Sequence, residues 1–307
     1  MQIKYGFCFI QEIEKLSMDT RFLETFIVVA ERHSLAEAAQ RLNLTPAAVA
    51  QRIRALEAEL GVRLLVRSGR VMRPTEAGFA ILERCRDLVR ATRDLKAMAG
   101  TATISGEMRI GAINTALTGL VPGVLHRLAQ DYPLIEIFLK PGASMDLYAE
   151  VLNGALDAAF IIEPRFPMQK TLTFNKLRQE PLVLIAPRDC EGADPLELLQ
   201  TLPLIRYDRN QWGGHIADEY LREIGIRPVE RYELDALEAI AVMVNRGLGI
   251  SIVPDWAPPW PGGLDIVKLP LPRSSAMRTV GIVVTRSSPR ANLVAALLET
   301  SRAAMGA

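Results

Sequence analysis

The sequence has few of the residues on which metal and redox chemistry depends. Its three cysteines, Cys8, Cys85 and Cys190, stand far apart in 307 residues. That spacing gives neither a disulfide frame nor a zinc site and leaves reduced thiols in a cytoplasm as the plain reading. His33, His126 and His215 are equally scattered, so no metal and no other cofactor is expected. No apolar run reaches the length of a membrane span. The apolar portion of the first 17 residues, Tyr5 to Ile10, is too short for a signal peptide and is followed by Glu12 and Glu14. Residues 1–17 therefore read as an extension, or as a start placed too early. Also missing are a glycine-rich phosphate loop, a zinc-binding HExxH and a GxSxG nucleophile elbow. Without them Asp157 and Asp235, near strand or helix ends, read as structural groups rather than catalytic ones.

What is present is an ordinary chain, 49% hydrophobic and 23% charged, of a length that suits two or three domains. Its net charge of +1 hides an asymmetry. Residues 18–100 carry 14 Lys and Arg against 10 Asp and Glu, and the residues beyond carry 20 against 23. Only the first part, at +4, is suited to attract a polyanion.

Within that part lies TPAAVAQRIRALEAELG, Thr45 to Gly61. Thr45 suits the N-cap, Pro46 the first helical position and Gly61 the left-handed end. Val49, Ile53, Leu56 and Leu60 recur at helical spacing and should share one buried face. The other side carries Ala47, Ala48, Ala50, Gln51, Arg52 and Arg54, small and basic, as close approach to a DNA groove requires. Upstream, Ser34 and Glu37 have capping-box spacing and open a short helix with Leu35, Ala38, Ala39 and Leu42 as its apolar stripe. Two short helices on the tight turn Asn43 to Thr45 make either a helix-turn-helix or an ordinary helical hairpin, and alone they leave the two readings even.

The sequel VRLLVRSGRVMRPTEAG favours the first. It reads as two short strands around a turn at Ser68 and Gly69, a wing whose Arg67, Arg70 and Arg73 reach toward phosphates or a minor groove. An earlier helix, Asp19 to Arg32, has Phe22, Phe26, Val29 and Ala30 as its core face. A long helix from Thr75 to about Ala99 follows, with Ile81, Cys85, Leu88, Thr92, Leu95 and Ala99 as the heptad seam of a coiled coil. Thr101 to Glu107 reads as a hinge.

From Met108 strands and helices alternate, which predicts α/β units with a mostly parallel sheet. MRIGAI, LIEIFL and LDAAFII form one set with intervening helices. PLVLIAP, PLIRY, VERYEL and LGISIVP form a second, and MRTVGIVVT with a last helix returns to the first. Two lobes with a cleft between them are expected.

Met18 to Gly78, and above all AAQRLNLTPAAVAQRIRALEAELGVRLLVR, resembles the winged helix-turn-helix of LysR-type transcriptional regulators. Thr45, Ala48, Val49 and Ile53 fit that family's recognition helix. Pro46, Ala47, Ala50, Gln51 and Arg52 depart from its usual Gln, Pro, Ser, Arg and Gln, which implies more contact with thymine methyls and amide readout by Gln51. LVPGVLHRLAQDYPLIEIFLKPG, LNGALDAAFI and ALEAIAVMVNRGLGISIVP are similar to the family's effector domain, which is like a periplasmic binding protein.

The resemblance implies an N-terminal extension (1–17), a DNA-binding domain (18–75), a dimerising linker helix with hinge (76–106) and an effector domain (107–307). Lobe I of the effector domain covers about 107–179 and 275–307, and lobe II about 180–274. It implies double-stranded DNA contact on a palindromic operator through Ser34, Thr45, Pro46, Ala47, Ala48, Ala50, Gln51, Arg52, Arg54, Arg67, Arg70 and Arg73. A small effector, an organic acid or amino-acid-like, would sit between the lobes. Its lining is expected from Asn114, Thr115, Ala143, Ser144, Ile162 and Glu163 in one lobe and Arg206, Tyr207, Arg209, Trp212 and His215 in the other. A homodimer or homotetramer is implied, with RNA polymerase a further candidate partner. An α/β enzyme with a DNA-binding appendage, and an architectural DNA binder whose cleft is filled by its own side chains, are the competing readings.

Overall fold

The computed structural model describes residues 18–69, 71–99, 104–272 and 276–306, with the backbone alone for 90, 93, 94 and 96–99. The chain divides into two compact units, one ending at Thr101 and the other beginning at Ala102.

In the first unit α1 (Thr20–Arg32) is capped by Asp19, and α2 (Leu35–Arg41) by Ser34. Helix α3 (Pro46–Leu60) follows Thr45, then come β1 (Leu65–Ser68), β2 (Val71–Pro74) and α4 (Glu76–Ala99). Leu23, Phe26 and Val29 of α1 meet Ala38 and Ala39 of α2, Val49, Ile53 and Leu56 of α3, and Cys85 and Val89 of α4 in one core. Two expectations are corrected here. Phe22 lies at the edge of this core while Leu23 is at its centre, and Leu60 is 37% exposed. The last turn of α3 has already run past the body it packs on.

The heptad seam of α4 also divides. Cys85 is buried in the unit's own core with Ile81 beside it, and Val89 continues that face. Leu88 and Leu95 are 51% and 67% exposed. Gly78, in the first turn of α4, has no room for a side chain, because a Cβ would lie 2.2 Å from the Leu64 carbonyl oxygen.

The second unit starts with β3 (Gly106–Ala112), so Gly106 and Glu107, expected in the hinge, are strand; residues 101–103 lie outside the described residues. There follow α5 (Asn114–Gly119), α6 (Val121–Asp131), β4 (Ile135–Pro141), α7 (Ser144–Leu152) and β5 (Ala158–Ile162). Next come β6 (Leu172–Pro187), α8 (Pro195–Thr201), β7 (Leu204–Tyr207), α9 (Trp212–Glu223) and β8 (Glu230–Leu234). The chain ends with α10 (Leu237–Asn245), β9 (Ser251–Pro254), β10 (Ile266–Pro270), β11 (Met277–Thr285) and α11 (Ala291–Ala304).

Strand β3 pairs in parallel with β4 and β5, as crossover helices require. The rest of the sheet is antiparallel, which corrects the expected mostly parallel one. Strand β11 pairs antiparallel with β5 and with the first part of β6, whose last part pairs antiparallel with β9 and β10. One 16-residue strand thus serves both lobes. The first half of β6, α8 and β10 were not expected from the sequence.

Candidate nucleic-acid interface and ligand cavity

The outer side of α3 is built by its caps. The Ala48 amide donates to Thr45 Oγ1 at 3.2 Å, and the Gly61 amide closes the far end from a left-handed φ of 68°. Asn43, also at positive φ, makes the tight turn from α2, and the Glu37 amide donates to Ser34 Oγ at 3.3 Å. As N-caps, Ser34 and Thr45 accept bonds and keep their own hydroxyl protons for an acceptor such as a phosphate oxygen.

Pro46, Ala47, Gln51 and Arg54 are exposed, with Ala48 and Ala50 partly so. Arg52 departs from the expected face. It is half-buried and turns back toward α1, with Nη1 3.4 Å from Thr25 Oγ1.

In the wing Arg67 pairs with Met72 and Val66 with Arg73. Directly paired residues share a face, so the exposed Arg67 and Arg73 lie on opposite faces of the ribbon. Arg67 Nε donates to the Gly69 carbonyl at 3.1 Å. Arg70 lies outside the described residues. The wing is tied to α1 by the Met72 amide, which donates to the His33 carbonyl at 2.8 Å. It is tied to α3 by Glu57, whose Oε1 accepts from the Leu64 and Leu65 amides at 2.8 and 3.1 Å. Glu57 was missed from sequence. Its only signal was an acidic side chain in the last helical turn, the unfavourable end of the dipole.

The second unit holds a cavity of about 300 Å³ lined from both lobes. Of the residues named from sequence, Asn114, Thr115, Ala143, Ser144, Ile162 and Tyr207 line it, joined by Gln211, Asp235, Leu237, Glu238 and Arg278. The other expected residues are engaged outside this lining. Glu163 binds Lys176 Nζ at 3.0 Å, and Arg206 bridges Asp218 and Glu230. Arg209 binds Glu230 and Glu233, His215 lies 3.3 Å from Glu219, and Trp212 stacks edge-on with Tyr148 and Phe166.

Four helices start at this cavity without a side-chain cap: the short α5 after Ile113, α7 after Ala143, α9 after Gln211 and α10 after Ala236. Their first amides have no partner within the helix. Ser144 Oγ accepts from the Ile162 amide at 3.2 Å.

Arg278, 1% exposed, donates from Nε to Glu180 Oε2 at 2.7 Å and from Nη2 to Thr115 Oγ1 at 3.1 Å. Glu180, also 1% exposed, stands directly opposite it in the β6–β11 ladder and takes the Ala257 amide on Oε1. Each borders an apolar run, Glu180 before PLVLIAP and Arg278 before TVGIVVT, and that was the signal available in the sequence. Burial pushes the Tyr207 phenol up to about 12, with Asp235 and Glu180 adding to the rise and Arg278 opposing it. Desolvation and the neighbouring Asp208 raise the Asp235 carboxyl, again against Arg278.

Comparison with protein-family models matches residues 20–79 to the bacterial regulatory helix-turn-helix protein, lysR family, and residues 101–306 to the LysR substrate binding domain. The chain belongs to the LysR family. This LysR protein is 29% identical over 295 residues to the DNA-binding transcriptional dual regulator OxyR of Escherichia coli (strain K12), covering 94% of this chain and 96% of that one. It is 30% identical over 280 residues to the HTH-type transcriptional regulator TtuA of Agrobacterium vitis, with 83% and 90% covered. Among solved structures, full-length CbnR complexed with its target DNA is similar at 25% identity and a TM-score of 0.64, with 94% of this chain and 100% of that chain covered. The Corynebacterium glutamicum OxyR C206 mutant, at 23% identity, a TM-score of 0.65 and 94% and 92% coverage, shares the fold. The LysR protein is a DNA-binding transcription regulator with an effector-binding domain, and not an enzyme. No helix among its described residues is long and apolar enough to cross a membrane.

Proposed function

We propose that the LysR regulator acts in the cytoplasm as a homodimer or homotetramer that reads a palindromic operator and changes its grip when a small organic acid or amino-acid-like effector enters the interlobe cavity. The observation that carries this is the cavity itself: about 300 Å³ of open space, bordered by two lobes, three hydroxyls, a buried arginine and four uncapped helix starts. Space of that kind argues against an architectural binder whose cleft is filled by its own side chains.

The exposed Leu88 and Leu95 on α4 support pairing with a second copy. Two copies of α3 then enter successive major grooves, Gln51 and the alanines reading base edges and methyls while Ser34, Arg54, Arg67 and Arg73 hold phosphates. Effector binding draws the lobes together and favours one arrangement of subunits. The ligand acts only by preferring that arrangement. RNA polymerase is the further partner of an activating form.

The relatives named as hydrogen peroxide-inducible genes activators raise a thiol trigger as a second reading, and the residues here do not support it. Among the described residues no cysteine lines the cavity, and burial raises the thiols of Cys85 and Cys190, away from the reactive thiolate.

The test is a footprint of the full chain on DNA flanking its own gene, with and without a panel of organic acids and amino acids, alongside sedimentation of the protein and its Leu95→Glu variant. Protection of a symmetric site that a panel member alters, and loss of dimer in the variant, are expected. Absence of any protected site would overturn the proposal.

A further inference from the structure

The cavity's charges are unequally matched. Arg278 is the one lining cation among the described residues, and Glu180 behind it already meets that charge in a buried pair, Nη2 to Oε2 at 2.5 Å. Two lining carboxylates have no such match. Glu238 Oε1 is wholly buried without a hydrogen-bond partner among the described residues, and Asp235 forms no ion pair among them. Asp208 adds a third acidic group, near enough to push the Asp235 carboxyl up. A buried carboxylate oxygen left unsatisfied, as in Glu238, is costly, and a cation relieves it; the exposed Asp235 adds negative charge to the same lining. A metal ion does not suit the place, since no three His, Cys, Asp or Glu among the described residues are grouped to hold one.

The opposite chemistry is offered at α7. Its first amides are uncapped, and two hydroxyls of the same lining have their acceptor side in use. Ser144 Oγ takes the Ile162 amide and Thr115 Oγ1 takes Arg278, so both hydroxyl protons remain to be donated. Donors of this kind at a helix start suit a carboxylate. A purely anionic ligand would leave Glu238 unmatched, and a simple amine would leave these donors unused. A molecule with both charges close together satisfies both walls. The volume is at the small end for ligand pockets, in keeping with a compact ligand.

We propose that the effector is an α-amino acid, its carboxylate at the start of α7 with Ser144 and Thr115, its ammonium between Asp235 and Glu238. This rests on the cavity being the effector site, and the experiment separates the two ideas. The full chain is screened by thermal unfolding with the twenty amino acids, since a ligand of the folded state raises its stability. Each hit is then compared by calorimetry with the 2-hydroxy acid and the amine of the same side chain.

At least one amino acid is expected to stabilise the protein, with both counterparts bound roughly tenfold more weakly or worse. Asp235→Asn combined with Glu238→Gln should weaken it to the same degree, while the melting temperature without ligand stays equal or rises. Ser144→Ala should weaken it too.

If none of the twenty stabilises the protein, the proposal is wrong. If a 2-hydroxy acid binds as tightly and Ser144→Ala weakens it, the zwitterion idea fails and the cavity reading survives. Amino-acid binding indifferent to all three substitutions would sink both.

Discussion

Replacing Arg278 by Met takes away half of an ion pair whose partners are each 1% exposed. The Glu180 carboxylate then loses Nε at 2.7 Å and Nη2 at 2.5 Å. It keeps only the Ala257 amide at 3.2 Å on Oε1 and the more distant Arg178 Nε at 3.6 Å. Breaking a buried pair from one side costs about 3–5 kcal/mol. The two remaining donors place this case near the lower end, at about 3 kcal/mol. For a unit of roughly 200 residues that is a fall in melting temperature of about 6–12 °C.

All three tryptophans, Trp212, Trp256 and Trp260, belong to the second unit, so their fluorescence during urea unfolding of the full chain reports this unit and not the DNA-binding one. Removing both charges tests the cause. Arg278→Met with Glu180→Gln leaves no uncompensated ion and should cost clearly less than the two single changes together, with a coupling of about 2 kcal/mol. Additive losses, or a single-variant loss below about 1 kcal/mol, would refute the reasoning and show that Arg178 or water takes over the carboxylate.

Three other outcomes are expected. The Tyr207 phenol, held up to about 12 in the folded protein against about 10 when unfolded, contributes stability that is complete below pH 10 and lost as pH rises to 12. Over that window wild type should lose about 2–3 kcal/mol relative to Tyr207→Phe in urea melts, and parallel curves would contradict it. Glu57→Ala removes two charge-assisted bonds to the wing and should destabilise the first unit by about 1–3 kcal/mol. It should weaken DNA binding with the salt slope unchanged, because no phosphate contact is deleted; a changed slope would place Glu57's effect on the DNA itself. Arg67→Ala should instead lower the log–log salt slope by about 0.9 per wing in contact, and an unaltered slope in a salt titration would remove Arg67 from the interface.

Patterns confined to one element were legible from the sequence. The caps of α2 and α3, the left-handed Gly61 and the buried Val49, Ile53 and Leu56 follow from local dihedral preferences and helical spacing. These local rules could not say that Leu60 outruns its core, that Arg52 folds back to Thr25, or that Cys85 belongs to its own unit while Leu88 and Leu95 stay open. Those outcomes depend on which neighbour reaches a helix face.

Register decided the rest. Arg278 and Glu180 are 98 residues apart in the chain and become partners only because β11 and β6 pair antiparallel in one alignment. A one-residue slip would turn each side chain to the other face of the sheet. Likewise Arg206 and Arg209 carry as much charge as Arg278, yet Glu230 and Glu233 on the neighbouring elements engage them. Sequence thus determined the family, the elements and the kinds of group present. Only tertiary pairing determined which charges cancel and which are left facing the cavity, since electrostatic compensation acts across space between residues that the chain keeps far apart.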